Sequence, residues 1–152
     1  MRSRVAPGTA EAEFASVAVT VESAGEGAET FDSLTRRVGA RSLGVSRLEL
    51  QPRQRMRVHL HERQEELYFV LSGALTLIVD AVEHEIPAGS LARVGPATRR
   101  QLANRGEAPV VILALGAAGE HVARDAVAWG SWDEDGPGRP PREVPYPPDF
   151  EK

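Results

Sequence analysis

The sequence predicts an all-β protein on three observations. Short apolar segments return about every ten residues from Arg41 to Gly116, turn-forming residues separate them, and no long amphipathic helix period runs through the same region. Of the 152 residues, 41% are hydrophobic and 26% charged, the balance of one ordinary domain with a real core.

Taken in order, residues 1–15 mix Ala, Pro, Gly and Glu without period and read as a flexible N-terminal segment. Ser16 to Glu22, SVAVTVE, alternates apolar and polar residues, the period of a strand, and opens a β-barrel domain expected over 16–118. Gly25 to Glu29 breaks that pattern. RSLGVSRLEL, RMRVHLH, ELYFVLS, ALTLIVD, VEHEI, SLARV, RRQLAN and VVILALG then follow as strands, rich in the aliphatic and aromatic side chains that suit a pleated, half-buried surface. Turns fall at Gln51-Pro52, Ser72-Gly73, Pro87-Ala88-Gly89, Gly95-Pro96 and Arg105-Gly106. This is the rhythm of an antiparallel sandwich or barrel.

After Gly116 the character changes, and residues 119–152 read as a Trp-bearing segment followed by a Pro-rich tail. GEHVARDAVAWGSW suits a short helix or an irregular cap. Trp129 and Trp132 each cover much apolar surface, so they are expected to anchor this segment or a dimer contact. Beyond Gly136, GPGRPPREVPYPPDF cannot join a sheet interior and is expected to run as extended chain over the surface or away from it.

Composition excludes several chemistries. Cysteine is absent, so disulfides, thiolate metal sites and cysteine nucleophiles are ruled out, and any metal must use nitrogen and oxygen ligands. No stretch approaches the roughly 20 apolar residues of a membrane span, which makes a soluble cytoplasmic protein with no membrane partner the default. A net charge of -4 without a basic helix argues against nucleic acid. No phosphate-cradling loop, nucleophile elbow or Gly-x-Gly-x-x-Gly turn is present, so no organic cofactor is expected.

The segment that carries chemistry is His59-Leu60-His61, followed by Glu66 and Gly73. Alternate residues on a strand share a face, so both imidazoles project together, and the glutamate returns on the next strand. The same parity sets Arg57, and Arg55 with it, on the histidine face, leaving Met56, Val58 and Leu60 on the other. His84 alternates with Val82 and Ile86 as a half-buried strand residue, and His121 follows the last strand as a surface residue or one folded back across the barrel mouth.

These residues resemble the cupin superfamily, in particular small single-domain members of the conserved-barrel type, over roughly Arg41 to Gly116. The first motif of that family, Gly-x5-His-x-His-x3,4-Glu-x6-Gly, is matched by His59, His61, Glu66 and Gly73, with Arg53 in place of its leading glycine. Pro87-Ala88-Gly89, Gly95-Pro96 and Asn104 match the second, but Arg100 stands where the last histidine ligand is expected. The six-residue gap to Gly73 selects Glu66, on one face with Tyr68 and Val70, and leaves Glu65 as a solvated charge.

The resemblance implies a double-stranded antiparallel β-barrel, or jelly-roll, with a short C-terminal segment packed on it, and a homodimer paired through its sheets. It also implies one divalent metal, iron, manganese, nickel or zinc, on His59, His61 and Glu66. The activity would be of dioxygenase, isomerase or decarboxylase type on a small organic acid, with Arg57 and Arg100 binding the anionic group; His59, His61, Tyr68 and Arg100 are the candidate catalytic residues. Arg100 keeps two alternatives open. Its guanidinium can pair with Glu66 in a metal-free ligand-binding or sensor protein, or a metal-free epimerase or cyclase can use His59 or His61 as general base.

Overall fold

The computed structural model describes residues 19–24, 30–117 and 125–150. Within them, strands β1 (Phe31–Ser33), β2 (Gly44–Leu50), β3 (Val58–His61), β4 (Glu65–Ser72), β5 (Ala74–Val79), β6 (Val82–Pro87), β7 (Leu91–Val94), β8 (Arg100–Ala103), β9 (Val110–Ala117) and β10 (Ala126–Trp129) build two antiparallel sheets. One sheet runs β1-β2-β9-β4-β7 and the other β10-β3-β8-β5-β6. Among the described residues one five-residue α-helix, α1 (Leu34–Val38), ends at Gly39 in the left-handed conformation, and a 3-10 turn forms at Pro141–Glu143. No helix among the described residues is long and apolar enough to cross a membrane.

Alternation builds the core. On β9, Val110, Ile112 and Ala114 point inward while Val111, Leu113 and Leu115 point outward. Leu48, Leu50, Tyr68, Val70 and Val94 from the same sheet meet Leu75, Leu77 and Leu102 from the other in one cluster. Each such aliphatic side chain contributes roughly 1.5–3 kcal/mol on burial. Gly73 closes the β4–β5 turn at φ 74°, and a Cβ there would lie 2.7 Å from the Pro109 carbonyl oxygen, so only glycine fits.

Two expectations are corrected and a third, the course of the tail, is decided between its alternatives. Ser16–Glu22 is not a strand where it is described: residues 19–24 pair with nothing in either sheet, and Val19 and Val21 are exposed, while β1 takes the edge beside β2. Residues 16–18 lie outside the described residues. The segment expected as a helix or irregular cap instead supplies β10, which pairs with β3 from Ala126↔His61 to Trp129↔Val58. The Pro-rich tail stays on the molecule: Val144 and Phe150 are buried, and Phe150 joins the core cluster with Tyr146 stacked on it at 4.0 Å. Arg139 bridges to Ala128 of β10 through two backbone hydrogen bonds of 2.8 and 3.0 Å, while the prolines keep the tail from extending that pairing and its apolar side chains fill the barrel end.

Both tryptophans anchor this C-terminal segment. Trp129 is buried and donates from Nε1 to the Gly136 carbonyl at 3.0 Å, Trp132 donates to Gln101 Oε1 at 3.2 Å, and the Arg99 guanidinium lies 4.0 Å over the Trp129 ring.

Candidate metal centre

Two inward imidazoles on β3 and one inward carboxylate on β4 converge between the sheets. Their ligand atoms lie within 4.8 Å of one another. His61 Nε2 is 3.1 Å and His59 Nε2 3.9 Å from Glu66 Oε2, and the two rings stand 5.6 Å apart, edge to face. Small residues make the room. Ala126 and Ala128 sit opposite His61 and His59 on β10, while Ala114 and Gly116 sit opposite Tyr68 and Glu66 on β9.

Arg100 is fully buried, opposite His59 on β8. Its Nη2 lies 3.4 Å from Glu66 Oε2, its Nε donates to the Tyr68 hydroxyl at 3.2 Å and its Nη1 to the Thr98 carbonyl at 2.8 Å. The Tyr68 hydroxyl in turn donates to Glu66 Oε2. One carboxylate oxygen therefore gathers both imidazoles, the phenol and the guanidinium. Burial pushes the Glu66 carboxyl up, but hydrogen bonding and charge from His59 and His61 outweigh it and hold the group well below the usual carboxylate range. Burial, reinforced by the Glu66 charge, raises the Tyr68 phenol far above its ordinary value, so it stays a donor.

The donor set fits a divalent ion of the nitrogen- and oxygen-liking kind: two imidazoles and a carboxylate, with no thiolate. His59 Nδ1 lies 3.1 Å from the Arg57 carbonyl, which can only accept, so Nδ1 carries a proton and the neutral ring would turn its Nε2 lone pair toward the site.

The site opens into a cavity of about 650 Å³ lined by both polar and apolar residues, among them Ser46, Leu48, Met56 and Tyr146. Arg57 is on its wall, with its guanidinium 3.5 Å over the Tyr146 ring and its Nε donating to the Val144 carbonyl. Its two terminal nitrogens have no hydrogen-bond partner among the described residues.

The parity reading fails before Val58. Met56 touches the cavity beside Arg57 and packs on the core, because the chain becomes regular strand only at Val58 and strict alternation starts there. Arg55 pairs bidentately with Asp149 instead of entering the cavity. Glu65 is exposed and pairs with Arg93. His84 is exposed on β6, beside a separate cleft, and His121 lies outside the described residues. Asn104 is structural: buried, it donates to the carbonyls of Leu50 and Ala108 and accepts from Gly106 N, which ties two turns together.

Two residues escaped sequence reading. Gln64 is buried against His61, and Asp125 is buried with its carboxylate on the backbone N–H groups of Arg63 and Gln64. Nothing in the sequence separates a buried turn amide from a solvated one.

The family model described as Cupin domain matches residues 46–116. A sugar phosphate isomerase from a cupin superfamily, from Silicibacter pomeroyi, is 28% identical with a TM-score of 0.56 over 66% of this chain. This chain spans 65% of that protein's length. A cupin protein from Bacteroides fragilis is 22% identical with a TM-score of 0.61 over 67% of this chain and 86% of its own. No curated protein matches the chain.

Proposed function

The chain belongs to the cupin superfamily, the Cupin domain family model matching residues 46–116, and from that premise we propose a divalent-metal-dependent enzyme, of isomerase type, acting on a small anionic organic substrate. The observation that carries this reading is the convergence of His59, His61 and Glu66 within 4.8 Å at the base of the cavity. Those three side chains would hold one ion of iron, manganese, nickel or zinc. When bound, that ion supplies Lewis-acid polarisation of a substrate carbonyl. The free nitrogens of Arg57 fork onto a carboxylate or phosphate of the substrate, the Tyr68 hydroxyl keeps Glu66 aimed, and the apolar walls limit water. The 28% identity to a sugar phosphate isomerase supports an isomerase over a dioxygenase or decarboxylase.

Elemental analysis of protein purified without chelator tests this. About one equivalent of metal, lost in His61→Ala, is expected; a metal-free protein that keeps full turnover in chelator overturns it.

One observation favours a second reading. Arg100, fully buried, supplies a positive charge 3.4 Å from Glu66 without any ion, as a metal-free ligand-binding protein requires. A metal-free protein with no turnover that still binds small organic anions supports that reading.

The outer face of the β1-containing sheet supports pairing of two copies. Leu67 and Phe69 of β4 lie between Leu115 and Leu113 of β9 on one side and Arg93 and Leu91 of β7 on the other, with Leu71 at the end of the row. Leu91 and Leu71 are 57% and 44% exposed, so a second copy would gain from covering this row.

A further inference from the structure

We propose that Gln64 sets the tautomer of His61, and so decides whether that imidazole can serve as a ligand; the inference rests on the metal-site reading above. His59 needs no such device, because the Arg57 carbonyl fixes its Nδ1 proton. His61 is different. Its Nδ1 faces a side-chain amide, Gln64 Nε2, at 3.0 Å, and an amide offers a donor on one side and an acceptor on the other. Gln64 is only 5% exposed, and its Oε1 is buried with no hydrogen-bond partner among the described residues. An acceptor buried without a partner is costly, so its retention here calls for an explanation.

The two amide orientations correspond to two states of the ring. With Nε2 of Gln64 toward the ring, His61 Nδ1 accepts and its own Nε2 carries the proton, which it donates to Glu66 Oε2 at 3.1 Å. With the amide rotated by half a turn, Oε1 accepts from a protonated Nδ1, and the lone pair of His61 Nε2 faces the site. The orphan acceptor is thus the group that the ligand form of His61 requires.

The surroundings hold the amide at this place. Asp125 Oδ2 accepts from Arg63 N at 3.0 Å and Gln64 N at 3.2 Å, pinning the turn between β3 and β4. Gly116 on β9 lies under the amide: a Cβ there would stand 3.3 Å from Gln64 Cδ and 3.4 Å from both of its polar atoms. A chain from Asp125 through Gln64 to His61 and Glu66 then positions the ligand from outside the coordination sphere, which makes Gln64 a positioning residue.

Gln64→Met keeps the volume and removes both polar atoms; Gln64→Glu keeps only the acceptor. Zinc affinity, measured by chelator competition, is expected to fall about 10–100-fold in Gln64→Met and to remain within about threefold of wild type in Gln64→Glu. Long-range 15N NMR of the imidazoles supplies a second readout without metal. The metal-free wild type should show His61 protonated at Nε2, Gln64→Met a mixture of tautomers, and Gln64→Glu protonation at Nδ1. Melting curves verify that each variant is folded. Zinc affinity of Gln64→Met within threefold of wild type, or a His61 tautomer indifferent to residue 64, overturns the inference. If wild type binds no zinc while the tautomer follows residue 64, the metal reading fails and the control of His61 by Gln64 stands.

Discussion

Arg100 Nη2 stands 3.4 Å from Glu66 Oε2, and Arg100 lies directly across the ladder from His59. Facing residues in antiparallel strands have Cβ atoms about 4.5–5.5 Å apart, so a side chain at position 100 reaches the same space as the His59 imidazole. The guanidinium both neutralises Glu66 and occupies the approach a fourth donor would use. Arg100→His replaces the competing cation with a neutral ligand. It is expected to tighten zinc binding at least about tenfold, or some 1.4 kcal/mol, in a chelator competition. Unchanged or weaker binding in a folded variant would show that Arg100 does not oppose the ion.

Arg57 is held at its Nε by the Val144 carbonyl and across its face by Tyr146, which leaves the two terminal nitrogens for a ligand. Hydrogen bonds to charged groups contribute about 1.5–3 kcal/mol, so Arg57→Met should weaken binding of a small dicarboxylate or sugar phosphate about 10–100-fold. Calorimetry with and without metal checks this. Equal affinities in both proteins would remove Arg57 from the ligand site.

The Pro-rich tail is clamped by Asp149, whose carboxylate accepts from Arg55 Nε at 2.6 Å and Nη2 at 2.8 Å. The hydrogen bond from Arg55 holds the Asp149 carboxyl below its ordinary value of 3.8. A depressed carboxylate stabilises the fold above its unfolded value, and that contribution disappears as pH falls through the folded value. Asp149→Asn should therefore speed proteolysis of residues 140–150 at pH 7, a loss of at most about 1 kcal/mol for so exposed a pair. As pH falls below 3.8 and through the lower folded value, the difference between the two proteins should close. A difference that persists at low pH would assign the clamp to something other than charge.

Pairing through the row of Phe69, Leu91 and Leu113 is tested by Leu113→Arg. Light scattering should give twice the chain mass for wild type and the single-chain mass for the variant, because a buried unpaired charge at the centre of such a face costs several kcal/mol. A wild-type monomer at micromolar concentration would end this proposal.

Much of this architecture was legible because strands announce themselves by period. The eight segments read from Arg41 to Gly116 each overlap one of β2 to β9 in order, and the gap from Glu66 to Gly73 identified the inward carboxylate. What stayed hidden depends on contacts distant in sequence. β10 is short, and its alanines carry no strand signal; it exists because β3 offers an open edge. The tail's burial depends on a barrel end left open for Phe150 and Tyr146. Residues 19–24 show the converse failure, since alternation without a free edge beside β2 produces no strand. The burial of Gln64 follows from Gly116 on a strand some fifty residues later, which no local pattern reveals.

Arg53 occupies the position where the first motif places a glycine, and its backbone shows why glycine belongs there: φ is 67°, in the left-handed region. The turn is needed, because Arg53 N donates to the Asn104 carbonyl at 3.0 Å and Asn104 N donates to the Gln54 carbonyl at 2.9 Å, joining the approach to β3 with the end of β8. A residue with a Cβ loses roughly 1–2 kcal/mol in this conformation. Glycine recovers that but adds about 0.4–1 kcal/mol of chain entropy to the unfolded state. The Arg53–Glu107 ion pair at 3.0 Å is 77% and 82% exposed at its two side chains, so losing it matters little. Arg53→Gly should therefore stabilise the fold by about 0.5–1 kcal/mol, a rise of roughly 1–4 °C in Tm for a domain of this size. Scanning calorimetry at matched concentration measures it. A lower Tm would mean that the arginine side chain contributes more than its conformation costs.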